Sequence, residues 1–137
     1  MRSELEFAVR YYETDQMGIV HHSNYIRYFE CGRSDMMAKY GLPIEKIEED
    51  GVMLPVVSVE CRYKRSAVMG DVIKVVSRID KVPLAKLVVK SYVYNQKGEL
   101  LVEGAVTLGF IDSATRHPVR CPEKLAEIIA ANIDNDK

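Results

Sequence analysis

A single carboxylate, Asp15, precedes the run His22-Ser23-Asn24-Tyr25, with Gly18 between them. The run reads as a helix start, where backbone N–H groups without an intrahelical partner carry partial positive charge and attract an oxyanion or a polarised carbonyl. A carboxylate beside such amides suits attack on an activated acyl group, so the chemistry indicated is acyl transfer. His21 and His22 are neighbours and point in different directions in an extended segment. No third ligand stands at a suitable spacing, so no metal is expected. The three cysteines, Cys31, Cys61 and Cys121, are too widely spaced for a Cys-x-x-Cys motif, and their odd number argues against a secreted disulfide framework. Cys31 within the main helix and Cys61 on an apolar strand face read as core positions rather than nucleophiles.

The elements that must position these residues follow from periodicity. Leu5 to Tyr11 alternates, with Leu5, Phe7, Val9 and Tyr11 on one side, and predicts a strand leading into the Asp15 segment. Tyr25, Tyr28, Phe29, Gly32, Met36 and Tyr40 recur at three and four residues, a helical stripe that Ser23 or Asn24 can cap and that Gly41-Leu42-Pro43 ends. Gly32 costs roughly 1 kcal/mol against alanine inside a helix, a cost easier to understand if the sheet backbone approaches closely there. Glu45 to Gly51 reads as a polar connection. Val57, Val59, Cys61 and Tyr63 then alternate with Ser58, Glu60, Arg62 and Lys64, predicting a strand with one core face and one wet, basic face. Three more strands are expected over Val72 to Asp80, Leu87 to Asn95 and Leu100 to Ile111. Asn95-Gln96-Lys97-Gly98 forms a hairpin turn between the last two. Gly104 and Gly109 predict a bulge or close backbone approach in the final run, taken as a long, curved edge. Pro122 opens a short amphipathic helix bearing Leu125, Ile128, Ile129 and Ile133, and Asp134 to Lys137 is expected to fray. One strand, a long helix and four further strands make an α+β arrangement in which one antiparallel sheet covers one helix.

Composition narrows the function classes. At 137 residues and 47 % hydrophobic, the chain is read as one domain over 1–137 with its core at about 5–131. A formal net charge of −1 gives no footing for nucleic-acid binding by counterion release. No run is long and apolar enough to span a membrane, and Met1-Arg2-Ser3-Glu4-Leu5 does not read as a signal segment, so a reducing cytoplasm is the expected compartment.

Tyr11, Asp15, Gly18, Val20, His22, Asn24, Tyr25 and Phe29 together resemble the signature of hotdog-fold acyl-CoA thioesterases, within the 4-hydroxybenzoyl-CoA thioesterase superfamily and especially its YbgC-like branch. The resemblance runs from about Leu5 to Ile129. It implies a five-stranded antiparallel sheet wrapped around a long central helix, with a short C-terminal helix. It also implies that Asp15 is the catalytic carboxylate and that the backbone N–H of His22 polarises the thioester carbonyl. Homodimers or homotetramers with shared active sites are implied, as are basic side chains that meet the phosphates of coenzyme A, which is part of the substrate and not a cofactor. Coenzyme A or acyl carrier protein can carry the acyl group.

Asp15 can serve as nucleophile, forming an acyl anhydride, or as general base on a water. The His22 side chain can orient Asp15, donate to substrate, or cap and pack. Tyr11 matches a family tyrosine near the acyl pocket and can line it or hydrogen-bond the reacting centre. Gly18 and Tyr25 are carried as substrate-binding positions, with packing as the alternative for Tyr25. Arg62, Lys64, Arg65 and Lys86 are the candidates for the phosphates, or else form a solvated charged face. Met17 narrows the acyl site if it lines it, and Phe7, Tyr11, Tyr25, Val57, Val59 and Tyr63 can line an aromatic slot or an aliphatic channel. Two rival functions share the scaffold. Hotdog hydratases resemble the chain less, since Val20 stands where they carry a histidine five residues after the aspartate. A non-catalytic acyl-binding module would be expected to lack the Asp15 carboxylate.

Overall fold

The computed structural model describes residues 1–133, so the frayed tail expected at Asp134 to Lys137 lies outside the described residues. In chain order the elements are β1 (Arg2–Ala8), a 3-10 turn (Tyr11–Glu13), α1 (Ser23–Lys39), α2 (Ile44–Glu49), β2 (Val52–Met53), β3 (Val56–Tyr63), β4 (Val72–Arg78), β5 (Lys86–Tyr94), β6 (Leu100–Gly109), β7 (Ile111–Asp112) and α3 (Glu123–Asn132). Five strands form one sheet in the order β1-β4-β5-β6-β3, with every neighbouring pair antiparallel. This is the expected α+β hotdog arrangement, with α1 packed across β1, β4 and β5.

The stripe on α1 explains the packing. Tyr25, Tyr28, Phe29, Gly32 and Met36 are all buried, and they meet the inward residues Ile73, Val75, Leu87, Val89, Val93, Val102 and Val106. The helix ends as its sequence requires. The Gly41 N–H donates to the Ala38 carbonyl at 3.1 Å and the Leu42 N–H to the Met37 carbonyl at 3.0 Å, while Gly41 takes φ +88°. That is the paired closure of a Schellman motif, and Pro43 then forbids continuation.

Gly32 and Gly104 both stand where a side chain has no room. A Cβ on Gly32 would lie 2.7 Å from Ser77 Oγ and 2.7 Å from Val75 Cγ1, so the close neighbour is a pair of β4 side chains rather than the sheet backbone. A Cβ on Gly104 would strike the Glu60 carbonyl oxygen of β3 and lie 2.7 Å from Phe29 Cε2. Backbone cannot yield as a side-chain tip can. Gly104→Ala is expected to reduce unfolding free energy by about 2–3 kcal/mol through overpacking, measured by urea denaturation. Gly109→Ala, whose Cβ would meet Val57 Cγ2 at 3.4 Å, should cost clearly less. Equal stabilities for the two variants would contradict this packing.

Several expectations are corrected. The first strand runs over Arg2–Ala8, not Leu5 to Tyr11, because its pairing with β4 extends from Arg2↔Arg78 to Ala8↔Val72, after which the chain turns at Tyr11–Glu13. The final run is not an edge: β6 pairs with both β5 and β3, and the edges are β1 and β3. A glycine in a strand marks a close approach, which a central strand meets as readily as an edge: Gly104 abuts Glu60 of β3 and Phe29 of α1. The Val57–Tyr63 face, expected in the core, leaves Val57 52 %, Val59 37 % and Tyr63 49 % exposed, since α1 lies over β1, β4 and β5 and covers little of the edge strand β3. Cys61 is half-buried, and Cys31 is exposed on the outer side of α1. The polar connection contains the helix α2, which buries Ile47 beneath charged neighbours. The last strand stops at Gly109, and β7 pairs instead with β2.

Candidate active site

Asp15 lies in a tight hairpin. Thr14 bridges Val20, the Asp15 N–H donates to the Ile19 carbonyl at 2.9 Å, and the Gly18 N–H returns to the Asp15 carbonyl at 3.0 Å. Gly18 closes the turn at φ +77°, a conformation that favours glycine. Asp15 Oδ1 accepts the Met17 N–H at 2.8 Å, the short side-chain turn that aspartate forms readily. Oδ2 has no protein partner among the described residues. The hairpin docks on the segment before β4 through Val20 N–H to Ala67 O at 2.8 Å and Met69 N–H to Gly18 O at 3.2 Å.

The returning arm of the hairpin runs straight into α1, with His22 in the cap position. Around it almost every amide is used. The His21 N–H donates to the Glu13 carbonyl at 2.9 Å, the Asn24 N–H to the His21 carbonyl at 3.0 Å and the Tyr25 N–H to the His22 carbonyl at 3.4 Å. The Ser23 N–H reaches His21 Nδ1 at 3.3 Å. The His22 N–H has no acceptor among the described residues. The expected Ser23 or Asn24 cap is replaced by these contacts: the Ser23 hydroxyl joins the His21 ring at 2.8 Å, and Asn24 Nδ2 donates to the Glu13 carbonyl at 2.9 Å.

Aromatic side chains line the other side. Tyr63 donates its hydroxyl to the His22 carbonyl at 3.3 Å, and its ring lies 5.7 Å from that of Tyr25 and 6.3 Å from that of His22. Its phenol is pushed up to about 12, chiefly by the hydrogen bond with Cys61 and also by burial. Tyr25 is buried and accepts the Ala67 N–H at 2.9 Å; burial raises its phenol as well. Both tyrosines are therefore neutral near pH 7. Burial also raises the Cys61 thiol, which disfavours the thiolate a nucleophile needs.

Asp15 and Gly18 thus sit in the hairpin that leads into His22 and Tyr25 at the start of α1, and Tyr63 packs against His22 and Tyr25. Tyr11 lies in the 3-10 turn just ahead and is 80 % exposed. The cations fall elsewhere. Because β3 alternates, Tyr63 faces the helix side while Arg62 faces the outer side of the sheet, beside Glu60, Lys90 and Glu103. Lys64 pairs with Glu103 at 3.6 Å and Arg65 with Glu99. Lys86 lines a cleft of about 550 Å³ with Val82, Leu84 and Val88. Among the described residues no helix is long and apolar enough to cross a membrane.

Sequence reasoning missed Glu13. It is 6 % exposed and its carboxylate accepts the Arg10 N–H at 2.7 Å and the Tyr28 hydroxyl at 2.9 Å. The one available signal was the three-residue spacing of Arg10 and Glu13, across which the Glu13 carboxylate reaches back to the Arg10 N–H.

Comparison with known proteins adds the following. The family model described as the thioesterase-like superfamily matches residues 9–129. The Bacillus subtilis protein named "Putative acyl-CoA thioesterase YneP" is 34 % identical over 118 residues, covering 86 % of each chain. The acyl-CoA thioesterase YbgC of Helicobacter pylori is 25 % identical over 131 residues, covering 90 % of this chain and 96 % of that one. The crystal structure of the DHNA-CoA thioesterase from Staphylococcus aureus superimposes with a TM-score of 0.89 at 30 % identity, covering 99 % of this chain and 95 % of the other.

Proposed function

The chain belongs to the thioesterase-like superfamily and is a thioester hydrolase, and from that premise we propose that it hydrolyses acyl-CoA to a free acid and coenzyme A, using Asp15 and the backbone N–H of His22. The observation that carries this reading is the His22 amide: it has no acceptor among the described residues, at a helix start entered directly from the Asp15 hairpin. In the proposed reaction the thioester oxygen takes that hydrogen bond, which strengthens as the carbonyl becomes an oxyanion. Asp15 Oδ2 then either attacks the carbonyl carbon or removes a proton from an attacking water. In the first route the C–S bond breaks with thiolate departure, and water cleaves the resulting anhydride to regenerate the carboxylate. In the second, hydroxide adds, the thiolate leaves, and the proton passes from Asp15 to solvent or sulfur. A thiolate is a good leaving group, so neither route needs a strong acid.

The same reading assigns the remaining parts. Arg62 and Lys86, which form no ion pair among the described residues, are the cations available to the coenzyme A phosphates. Lys64 and Arg65 are already paired. The unpaired edge of β3, with Val57, Val59 and Tyr63 exposed, suits pairing with a second copy of the chain, since such an edge invites a partner. A solution mass equal to that of one chain, 15.6 kDa, would remove this assignment. Three free thiols suit a reducing cytoplasm.

Thiol release from aliphatic and aromatic acyl-CoAs tests the activity, with acyl carrier protein thioesters as the alternative carrier. The expected result is release of free thiol in step with free acid. Binding without release on every thioester would favour an acyl-binding module, and loss of enoyl absorbance with the thioester intact would favour a hydratase.

A further inference from the structure

Glu13 is a buried carboxylate that the reaction above does not use, and it joins the turn ahead of the Asp15 hairpin to the start of α1. Its Oε1 accepts the Arg10 N–H at 2.7 Å and the Tyr28 hydroxyl, from the second turn of α1, at 2.9 Å. Its Oε2 lies 3.3 Å from Arg10 Nη1. Its main-chain carbonyl accepts the His21 N–H at 2.9 Å and Asn24 Nδ2 at 2.9 Å, so it grips the helix start on both sides of His22. Asp15 follows two residues later in the chain.

We infer that Glu13 is a positioning residue for thioester hydrolysis, clamping the Asp15 hairpin to the first turns of α1 so that the Asp15 carboxylate and the His22 amide keep a fixed separation. The inference rests on the reading of Asp15 and His22 given above. Two observations favour this role over simple stability. The carboxylate's partners come from the 3-10 turn and from α1, the two bodies whose relative position sets that separation. Burial beside Glu13 also raises the Tyr28 phenol, so Tyr28 remains a hydrogen-bond donor at working pH. Holding reacting groups in place to within fractions of an ångström is a large part of enzymatic rate, and a misplacement of about 1 Å can cost about 100-fold.

The test compares kcat, KM and melting temperature for Glu13→Ala, Glu13→Gln and Tyr28→Phe, assayed well below each melting point. Glutamine keeps an oxygen for Arg10 N–H and Tyr28 and loses only a partly exposed ion pair, which contributes little. The expected pattern is a kcat loss of about 100-fold in Glu13→Ala with KM changed by less than about threefold, and recovery in Glu13→Gln to within about fivefold of wild type. Tyr28→Phe should lose about tenfold in kcat, and it decides the matter if Glu13→Ala does not fold. Wild-type kcat in folded Glu13→Ala, or in Tyr28→Phe when Glu13→Ala is unfolded, overturns the inference. Glutamine as inactive as alanine also overturns it, because the charge itself would then be required. Adding Glu13→Ala to Asp15→Asn should cause no further loss, as for residues acting as a unit; independent, multiplying losses would contradict the clamp. Full turnover by Asp15→Asn overturns the parent reading together with the clamp, whereas an inactive Asp15→Asn beside a fully active Glu13→Ala overturns the clamp alone.

Discussion

Asp15→Asn is expected to lower kcat for thiol release by about 1,000-fold, within the range typical for loss of a reacting acid–base group, with a melting temperature close to that of wild type. The substitution is nearly isosteric. Asparagine keeps the Oδ1 acceptor that receives the Met17 N–H, and it leaves untouched the main-chain bonds from Asp15 to Ile19 and from Gly18 to Asp15. What it removes is charge, and with it the basicity or nucleophilicity that either route requires. Asp15→Ala should lose as much activity and in addition about 0.5–1.5 kcal/mol of stability, because the Met17 amide loses its acceptor. A rise in KM with kcat unchanged is not expected, since the carboxylate acts in the transition state rather than in uniform binding. Folded Asp15→Asn with wild-type kcat would remove Asp15 from the chemistry.

Much of this arrangement was legible in the chain because it is local. The α1 stripe and its Gly41-Leu42-Pro43 stop are written at helical spacing, and both appear as expected. The Asn95–Gly98 turn also appears, with the Gly98 N–H bonded to the Asn95 carbonyl at 3.0 Å and β5 antiparallel to β6. Gly32 and Gly104 mark close packing because no larger residue fits against β4 or against Phe29 and β3. The features that were not legible depend on long-range pairing. Which strand forms an edge is decided by partners distant in sequence, so Gly104 and Gly109 led to β6 when the edges are β1 and β3. The same ignorance of neighbours made the Val57–Tyr63 face look like core. Glu13 escaped notice because its meaning comes from Tyr28, Asn24 and His21, and no period in the sequence links those four residues. Lys64 and Arg65 looked like a phosphate cluster with Arg62 until the β3–β6 pairing set them beside Glu103 and Glu99.

The central claim is that the His22 backbone N–H stabilises the oxyanion, and His22→Pro compared with His22→Ala tests it most directly. Alanine removes the imidazole, with its stacking on His21 at 4.2 Å, and keeps the amide. Proline removes the imidazole and the amide together. His22 has φ −55°, inside the range proline enforces, and proline is tolerated at helix starts where the N–H has no intrahelical acceptor. That amide has no acceptor among the described residues, so no hydrogen bond to them is lost. With thiol release and thermal melting measured on both variants, the account predicts a kcat for His22→Pro about 100- to 1,000-fold below that of His22→Ala, the loss typical of one oxyanion donor, at similar melting temperatures. A folded His22→Pro that turns over as fast as His22→Ala would contradict it.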